Sequence, residues 1–116
     1  MSDDRKDLLQ GTLELLVLKA LSLEPMHGWG MAQRIDQLSR GVFRVQQGSL
    51  YPALQRMLRK GWIRSEWRVS ENNRRARYYI LTRGGRAQLA SRAALWKRAS
   101  DAVDGILRAS LAGNDA

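Results

Sequence analysis

The first third of the chain has the apolar pattern of two helices. Over residues 8–23 apolar side chains recur at helical spacing and cover most sides of the predicted helix. A helix that is apolar on most sides is buried on most sides. We therefore expect it to pack against its own domain and against a second body. It should end before Pro25, because proline disfavours helical geometry in the preceding residue. A second helix is predicted over 28–38.

A short strand and a third helix are predicted next. Residues 42–45 are β-like in composition, and the helix is expected over 49–60, with Ser49 as its N-cap and Gly61 as its stop. One face of this helix is apolar. The opposite face carries Pro52, Gln55, Arg56 and Arg59.

A hairpin and a long helix complete the predicted elements. Side chains alternate over 62–69 and over 77–82, which predicts two strands joined by a polar turn at 70–75. Trp62 and Trp67 are expected to pack within this hairpin. A helix should then run from Gly85 to about residue 111. Its apolar residues form two interleaved series seven apart, which predicts a helix–helix seam. The series consist of Leu89, Trp96, Val103, Ala99 and Ile106.

Charge is distributed unevenly along the chain. The net charge is +9, but residues 1–39 carry −2, residues 40–86 carry +10 and residues 87–116 carry +1. A basic segment of this kind attracts polyanions. A solvated basic surface kept for solubility is the alternative. A membrane surface fits less well, because the segment carries turn and strand signals rather than one amphipathic helix.

Several classes of protein are excluded by composition. The 116 residues suffice for one core. The absence of cysteine excludes a disulfide scaffold and suits the reducing cytoplasm. The N-terminus lacks a signal-peptide pattern, and no apolar stretch is long enough to span a bilayer. His27 is the only histidine and has no partner at ligand spacing, so its expected role is structural. We predict no metal, no cofactor and no enzymatic activity.

The order helix, helix, short strand, helix and basic hairpin predicts a winged helix-turn-helix. The fold class is thus mostly α with a small β-hairpin (α+β), followed by a long C-terminal helix. The major groove of DNA admits one helix, in which Gln55 can bond adenine and Arg56 guanine. Ser49 lies near the helix N-terminus, where a phosphate is favoured. The predicted DNA-binding residues are Gln47, Ser49, Tyr51, Pro52, Gln55, Arg56, Arg59, Arg74, Arg75 and Arg77. Tyr51 has a second interpretation, an aromatic residue at the edge of the core.

Four stretches resemble the PadR family of regulators. Residues 11–18 (GTLELLVL) resemble the family's first helix, and residues 27–30 (HGWG) resemble its step into the second helix. Residues 47–54 (QGSLYPAL) resemble the recognition-helix signature, and residues 77–85 (RYYILTRGG) the second wing strand. The turn at 71–76 departs from the Gly-Arg-Pro turn of many relatives, which affects the expected wing contacts.

The resemblance implies a homodimer that represses a promoter until a small molecule or another signal relieves it. In such a dimer the C-terminal helix of each subunit packs on the N-terminal helix of the other. The expected interface residues are Leu9, Leu13, Leu16, Leu89, Trp96, Ala99, Val103 and Ile106. Trp96 is either an interface anchor or a stacking wall for an aromatic effector.

The predicted organisation is a DNA-binding domain over 1–82, a dimerisation helix over 83–111 and a disordered tail over 112–116. Two alternatives to sequence-specific binding stay open. The domain either binds DNA without sequence preference, as an architectural protein, or serves as a protein–protein interaction module.

Overall fold

The structure, a computed structural model, describes residues 2–111, with side chains from Gly11 onward. It contains four helices and a three-stranded antiparallel sheet, which confirms the predicted α+β class. The elements are α1 (Ser2–Leu23), β1 (Met26–His27), α2 (Gly28–Leu38), α3 (Gln47–Arg59), β2 (Ile63–Val69), β3 (Arg75–Leu81) and α4 (Arg83–Arg108). The predicted tail at 112–116 lies outside the described residues.

The strand predicted at 42–45 is wrong. The chain leaves α2 through a turn in which Arg40 and Gly41 have positive φ. The backbone N–H of Phe43 then donates to the Ser39 hydroxyl at 2.9 Å rather than to another strand. The third strand of the sheet is instead β1, where Met26 is opposite Tyr79 and His27 is opposite Tyr78. A strand of two residues has no alternation that a sequence pattern could reveal.

The predicted N-cap of α3 is also wrong. Gln46 occupies that position, with extended backbone and no capping hydrogen bond from its side chain. Ser49 therefore lies in the first turn, where its N–H donates to the Gln46 carbonyl at 3.0 Å. Pro52 is therefore the sixth residue of the helix rather than part of its first turn, and the helix lacks the hydrogen bond that an N–H there would donate to the Gly48 carbonyl.

The core lies between the helices and the base of the hairpin. Leu18 of α1, Met31 of α2 and Leu54 of α3 are completely buried, and Tyr79 covers them from the sheet. The sheet order is β1-β3-β2, so β3 is the central strand. The same face of β2 and β3 supplies Ile63 and Leu81, which fixes the hairpin base against the helices.

The start of α4 is held tightly against the hairpin. The Thr82 hydroxyl accepts from the Gly85 N–H at 3.1 Å and donates to the Gly61 carbonyl at 2.6 Å. Gly85 is buried, and a Cβ there would overlap the carbonyl oxygen of Trp62. Only glycine allows this approach of helix to strand. At Gly84 a Cβ would meet its nearest atom, the Gly61 carbonyl oxygen, at an ordinary 3.5 Å.

We therefore predict that Gly85→Ala lowers the free energy of unfolding by about 1–3 kcal/mol, because the added methyl forces α4 away from β2. Gly84→Ala is the matched control. It should leave stability unchanged or raise it by up to about 1 kcal/mol, since the methyl has space and the unfolded chain loses freedom. Urea unfolding measures both. Equal stability of the two variants would contradict the close approach at Gly85.

Candidate nucleic-acid interface

The exposed face of α3 is a narrow polar strip. Gly48, Pro52, Gln55 and Arg59 are exposed and follow one another at helical spacing. Ser49 and Tyr51 flank this strip and are also exposed. The opposite side is buried through Leu50, Leu54 and Met57. The helix is thus anchored on one side and presents hydrogen-bonding groups on the other.

Tyr51 and Gln47 pack against the start of α2. They lie close to Gly28, where a Cβ would be in ordinary contact with the Tyr51 hydroxyl at 3.5 Å and with Oε1 of Gln47 at 3.6 Å. Tyr51 nevertheless keeps 49% of its surface exposed. Its hydroxyl side packs on α2, which agrees with an aromatic residue at the edge of the core. Much of its surface remains open, which agrees with a DNA-binding residue.

Arg56 does not lie on the exposed face, so its predicted placement is wrong. Its Nε lies 3.2 Å from Oε2 of Glu14, and three quarters of the side chain is buried. Glu14 is itself only 5% exposed, and its Oε1 receives Nη1 of Arg92 at 3.0 Å. Arg92 thereby joins α4 to α1. Arg56 likewise joins α3 to α1 through the same carboxylate.

The two faces of the wing carry different charge patterns. We call the face of β2 and β3 that continues the core side the front face of the wing. It consists, beyond the buried base, of Trp67, Val69, Arg75 and Arg77. The back face of the wing consists of Arg64, Glu66, Arg68 and Tyr78.

Carboxylates accompany the arginines on the back face. Glu66 accepts from Arg68 at 2.7 Å and from Arg64 at 3.1 Å. Hydrogen bonds from these two guanidinium groups hold the pKa of Glu66 below its usual range. Glu71 is directed to the same side, because its Oε1 lies 3.5 Å from Nε2 of His27.

His27 has the structural role expected for it. Its Nδ1 accepts from the Gly30 N–H at 3.0 Å and so caps α2. Its ring also meets the Tyr78 ring edge-on, with centroids 5.2 Å apart. The imidazole thereby joins the start of α2 to the back face of the wing.

The front-face arginines remain available to an external anion. Within the described part of the chain neither Arg75 nor Arg77 pairs with a carboxylate. Arg77 instead donates from Nε to the Ser65 hydroxyl at 2.8 Å, and its guanidinium lies over Tyr79. Arg74 is exposed at the turn between the strands.

The base of the wing packs against α3. Tyr79 of β3 is buried in the same core cluster as Leu50, Leu54 and Met57 of α3. Burial raises the pKa of Tyr79, while the Arg77 guanidinium, which lies over its ring, opposes that shift. The polar strip of α3 and the basic front face of the wing therefore lie on neighbouring elements.

The predicted dimer residues fall into two groups. Leu13, Leu16 and Leu89 are partly buried against the core of their own chain. Trp96, Val103 and Ile106 are 51%, 52% and 74% exposed, and Ala99 is exposed too. The pattern missed Leu95 and Leu107, which are also exposed on α4. The Leu9 side chain lies outside the described residues.

The predicted dimer residues of α1 are incompletely covered by their own chain. A cavity of about 490 Å³ opens between α1, the segment before α3 and α3 itself. Leu13, Leu16, Phe43 and Pro52 contribute its apolar lining. Within the described residues no group of three acidic or histidine side chains could hold a metal ion. Nor is any described helix long and apolar enough to cross a bilayer.

An anchored helix with an exposed polar strip beside a basic hairpin defines a winged-helix DNA-binding protein. The chain matches the model of the transcriptional regulator PadR-like family over residues 17–91. It belongs to this family, as its sequence motifs predicted. Because the family consists of transcriptional regulators, the prediction that the chain is not an enzyme is also confirmed.

Relatives in three bacteria agree with this assignment. The chain is 34% identical over 110 residues to the transcriptional regulator Rv3488 of Mycobacterium tuberculosis, covering 94% of this chain and 97% of that one. A PadR-like transcriptional regulator from Bacillus cereus is 27% identical with a TM-score of 0.78, covering 90% and 99%. A PadR-family regulator from Eggerthella lenta is 28% identical with a TM-score of 0.72, covering 94% and 93%.

We predict that Arg75→Ala weakens DNA binding on every duplex and lowers the slope of log affinity against log salt by about one, since one phosphate contact is lost. Arg64→Ala on the back face is the control and should leave the slope unchanged, because Glu66 already partners Arg64. Fluorescence anisotropy across a salt series measures both slopes. An equal change in the two variants would contradict the division of the wing into two faces.

Proposed function

We propose that the protein is a sequence-specific repressor that acts in the cytoplasm as a homodimer on an inverted-repeat operator. The observation that carries this proposal is that the exposed polar strip of α3 lies on a helix that packs against β2, beside a front face of the wing that bears arginines and no carboxylate. A helix in the major groove meets base edges, and the neighbouring basic hairpin meets the phosphates or the next minor groove.

Gln55 is the proposed reader of bases. It lies at the centre of the exposed strip between Pro52 and Arg59. Its amide can donate to and accept from adenine at the same time. Arg59 lies one turn further along and contacts phosphate or a second base. Ser49 lies in the first turn, where helix N–H groups favour a phosphate.

The dimer is proposed on the exposed apolar side chains of α4. Beyond Arg92 this helix leaves the body of its own chain, since all of its residues from 93 to 108 except Ser100 are exposed. The molecule measures 62 Å along its longest axis. Trp96, Val103 and Ile106 then project without cover among the described residues. The partly covered leucines of α1 offer a matching surface beside the cavity. A second copy of the chain can cover both apolar surfaces at once.

A small-molecule effector is proposed at this interface, with Trp96 as its stacking wall. An aromatic molecule between two copies would favour one spacing of the two recognition helices. Because half-site spacing must match that geometry, a shift in dimer geometry lowers the affinity for the operator.

Selection of bound fragments from a random duplex pool tests the DNA-binding proposal. We expect an inverted repeat with half-site centres about one helical turn, or a small multiple, apart. Gln55→Ala should then weaken binding to the selected site by about 1–3 kcal/mol and leave binding to a scrambled duplex unchanged. Retained binding without enrichment would indicate an architectural protein. No binding to DNA would indicate a protein–protein interaction module.

The dimer has its own test. Val103→Glu buries a charge in the proposed seam and should raise the dimer dissociation constant by at least about a hundredfold. Ala94→Glu adds the same charge on the opposite side of α4 and should leave the dimer intact. Sedimentation equilibrium measures both variants. A dimeric Val103→Glu protein would place the seam elsewhere.

A further inference from the structure

Two large apolar side chains are exposed near the tip of a hairpin that is otherwise basic. Trp67 keeps 58% of its surface exposed and Val69 keeps 67%. The expectation that Trp67 packs within the wing holds for part of the side chain, because the Arg75 guanidinium of the opposite strand lies 5.0 Å from the ring centroid. The rest of the side chain is open. Exposed apolar surface rimmed by charge is typical of a binding site.

The register of the hairpin places Trp67 within the candidate nucleic-acid interface. Trp67 is directly opposite Arg77, and Val69 is opposite Arg75. Arg77 lies over Tyr79, whose side chain is buried in the core with residues of α3. The apolar pair thus lies on the face of the hairpin that continues the core side, at the end farthest from the body.

The charge around this apolar pair selects its partner. Glu66 and Glu71 are both held toward the back face, so the apolar pair is bordered by the arginines of the front face. The minor groove of DNA has apolar deoxyribose walls between two rows of phosphates. An apolar wedge flanked by cations matches that combination, and minor-groove proteins insert such wedges between base steps.

We propose that Trp67, with Val69 beside it, enters the minor groove that flanks each major groove bound by α3 and partly unstacks one base step there. This inference rests on the proposed function only in placing α3 in the major groove. Unstacking is easiest at pyrimidine–purine steps. The wing therefore selects deformable DNA at positions that α3 does not read.

Repeating the duplex selection with two tryptophan variants tests this role. Trp67→Ala removes the wedge, whereas Trp29→Ala is the matched control. Trp29 is also 58% exposed, but it lies on α2 next to His27. Because both residues are exposed, thermal unfolding should show both variants folded. The wild type should enrich pyrimidine–purine steps outside each half-site.

With Trp67→Ala we expect that flanking preference to disappear and affinity for the selected site to fall about five- to tenfold, while the half-site core stays the same. Trp67→Phe should retain most of the preference. A duplex with 2-aminopurine at the flanking step adds a direct readout, because unstacking raises the fluorescence of that base when the protein binds. Wild type and Trp29→Ala should raise it, and Trp67→Ala should not.

Two results would overturn the wedge while leaving the proposed function intact. One is a flanking preference that survives in Trp67→Ala, and the other is 2-aminopurine fluorescence that the wild type leaves unchanged on a well-bound operator. Loss of the half-site core in Trp67→Ala would also contradict it, because the ring would then be supporting α3. A wild-type protein that enriches no site at all would overturn the proposed function first, and the wedge with it.

Discussion

The buried carboxylate of Glu14 is the contact on which the arrangement of the helices depends. It lies on α1 with 5% of its side chain exposed and holds Arg56 of α3 through one oxygen and Arg92 of α4 through the other. A buried charge is tolerated only when it is paired and hydrogen-bonded. The recognition helix and the long C-terminal helix must therefore both approach α1 at the same level.

This contact ties together the two parts of the molecule for which different partners are proposed, DNA for α3 and a second copy of the chain for α4. Arg56 is one residue from Gln55, the proposed base reader. Among the described residues, Arg92 is the last of α4 that an ion pair holds to another element of the chain. Arg92 also lies 4.6 Å over Trp62, at the base of the wing. Arg92 therefore contacts both the carboxylate that holds α3 and the base of the wing.

The wing shows a second use of paired charges. Glu66 and Glu71 neutralise cations or bind His27 on the back face, which leaves the front face to arginine and to two exposed apolar side chains. Because Glu66 pairs with some of these arginines, only part of the +10 charge of residues 40–86 is available to an external anion. The face of the sheet on which an arginine lies therefore decides whether it is available to DNA.

Periodicity predicted the four helices and the hairpin, because each has enough residues to show its own repeat. It could not predict β1, whose two residues are defined by their pairing with β3. At 100° per residue Arg56 lies beside Gln55, near the edge of the exposed face. Its direction was decided by Glu14, 42 residues earlier in the chain, and that of Arg92 by the same carboxylate 78 residues away. Such pairings leave no local pattern.

The measurement that tests this account most directly compares the affinity for a full inverted repeat with the affinity for a single half-site, in the wild type and in Glu14→Gln. Glu24→Gln, which removes the partner of Arg34 in an exposed ion pair, is the control. If Glu14 orients α3 relative to α4, Glu14→Gln loses more affinity on the full site than on the half-site, and Glu24→Gln matches the wild type. An equal loss on both sites, or no loss on either, would contradict the central role of Glu14.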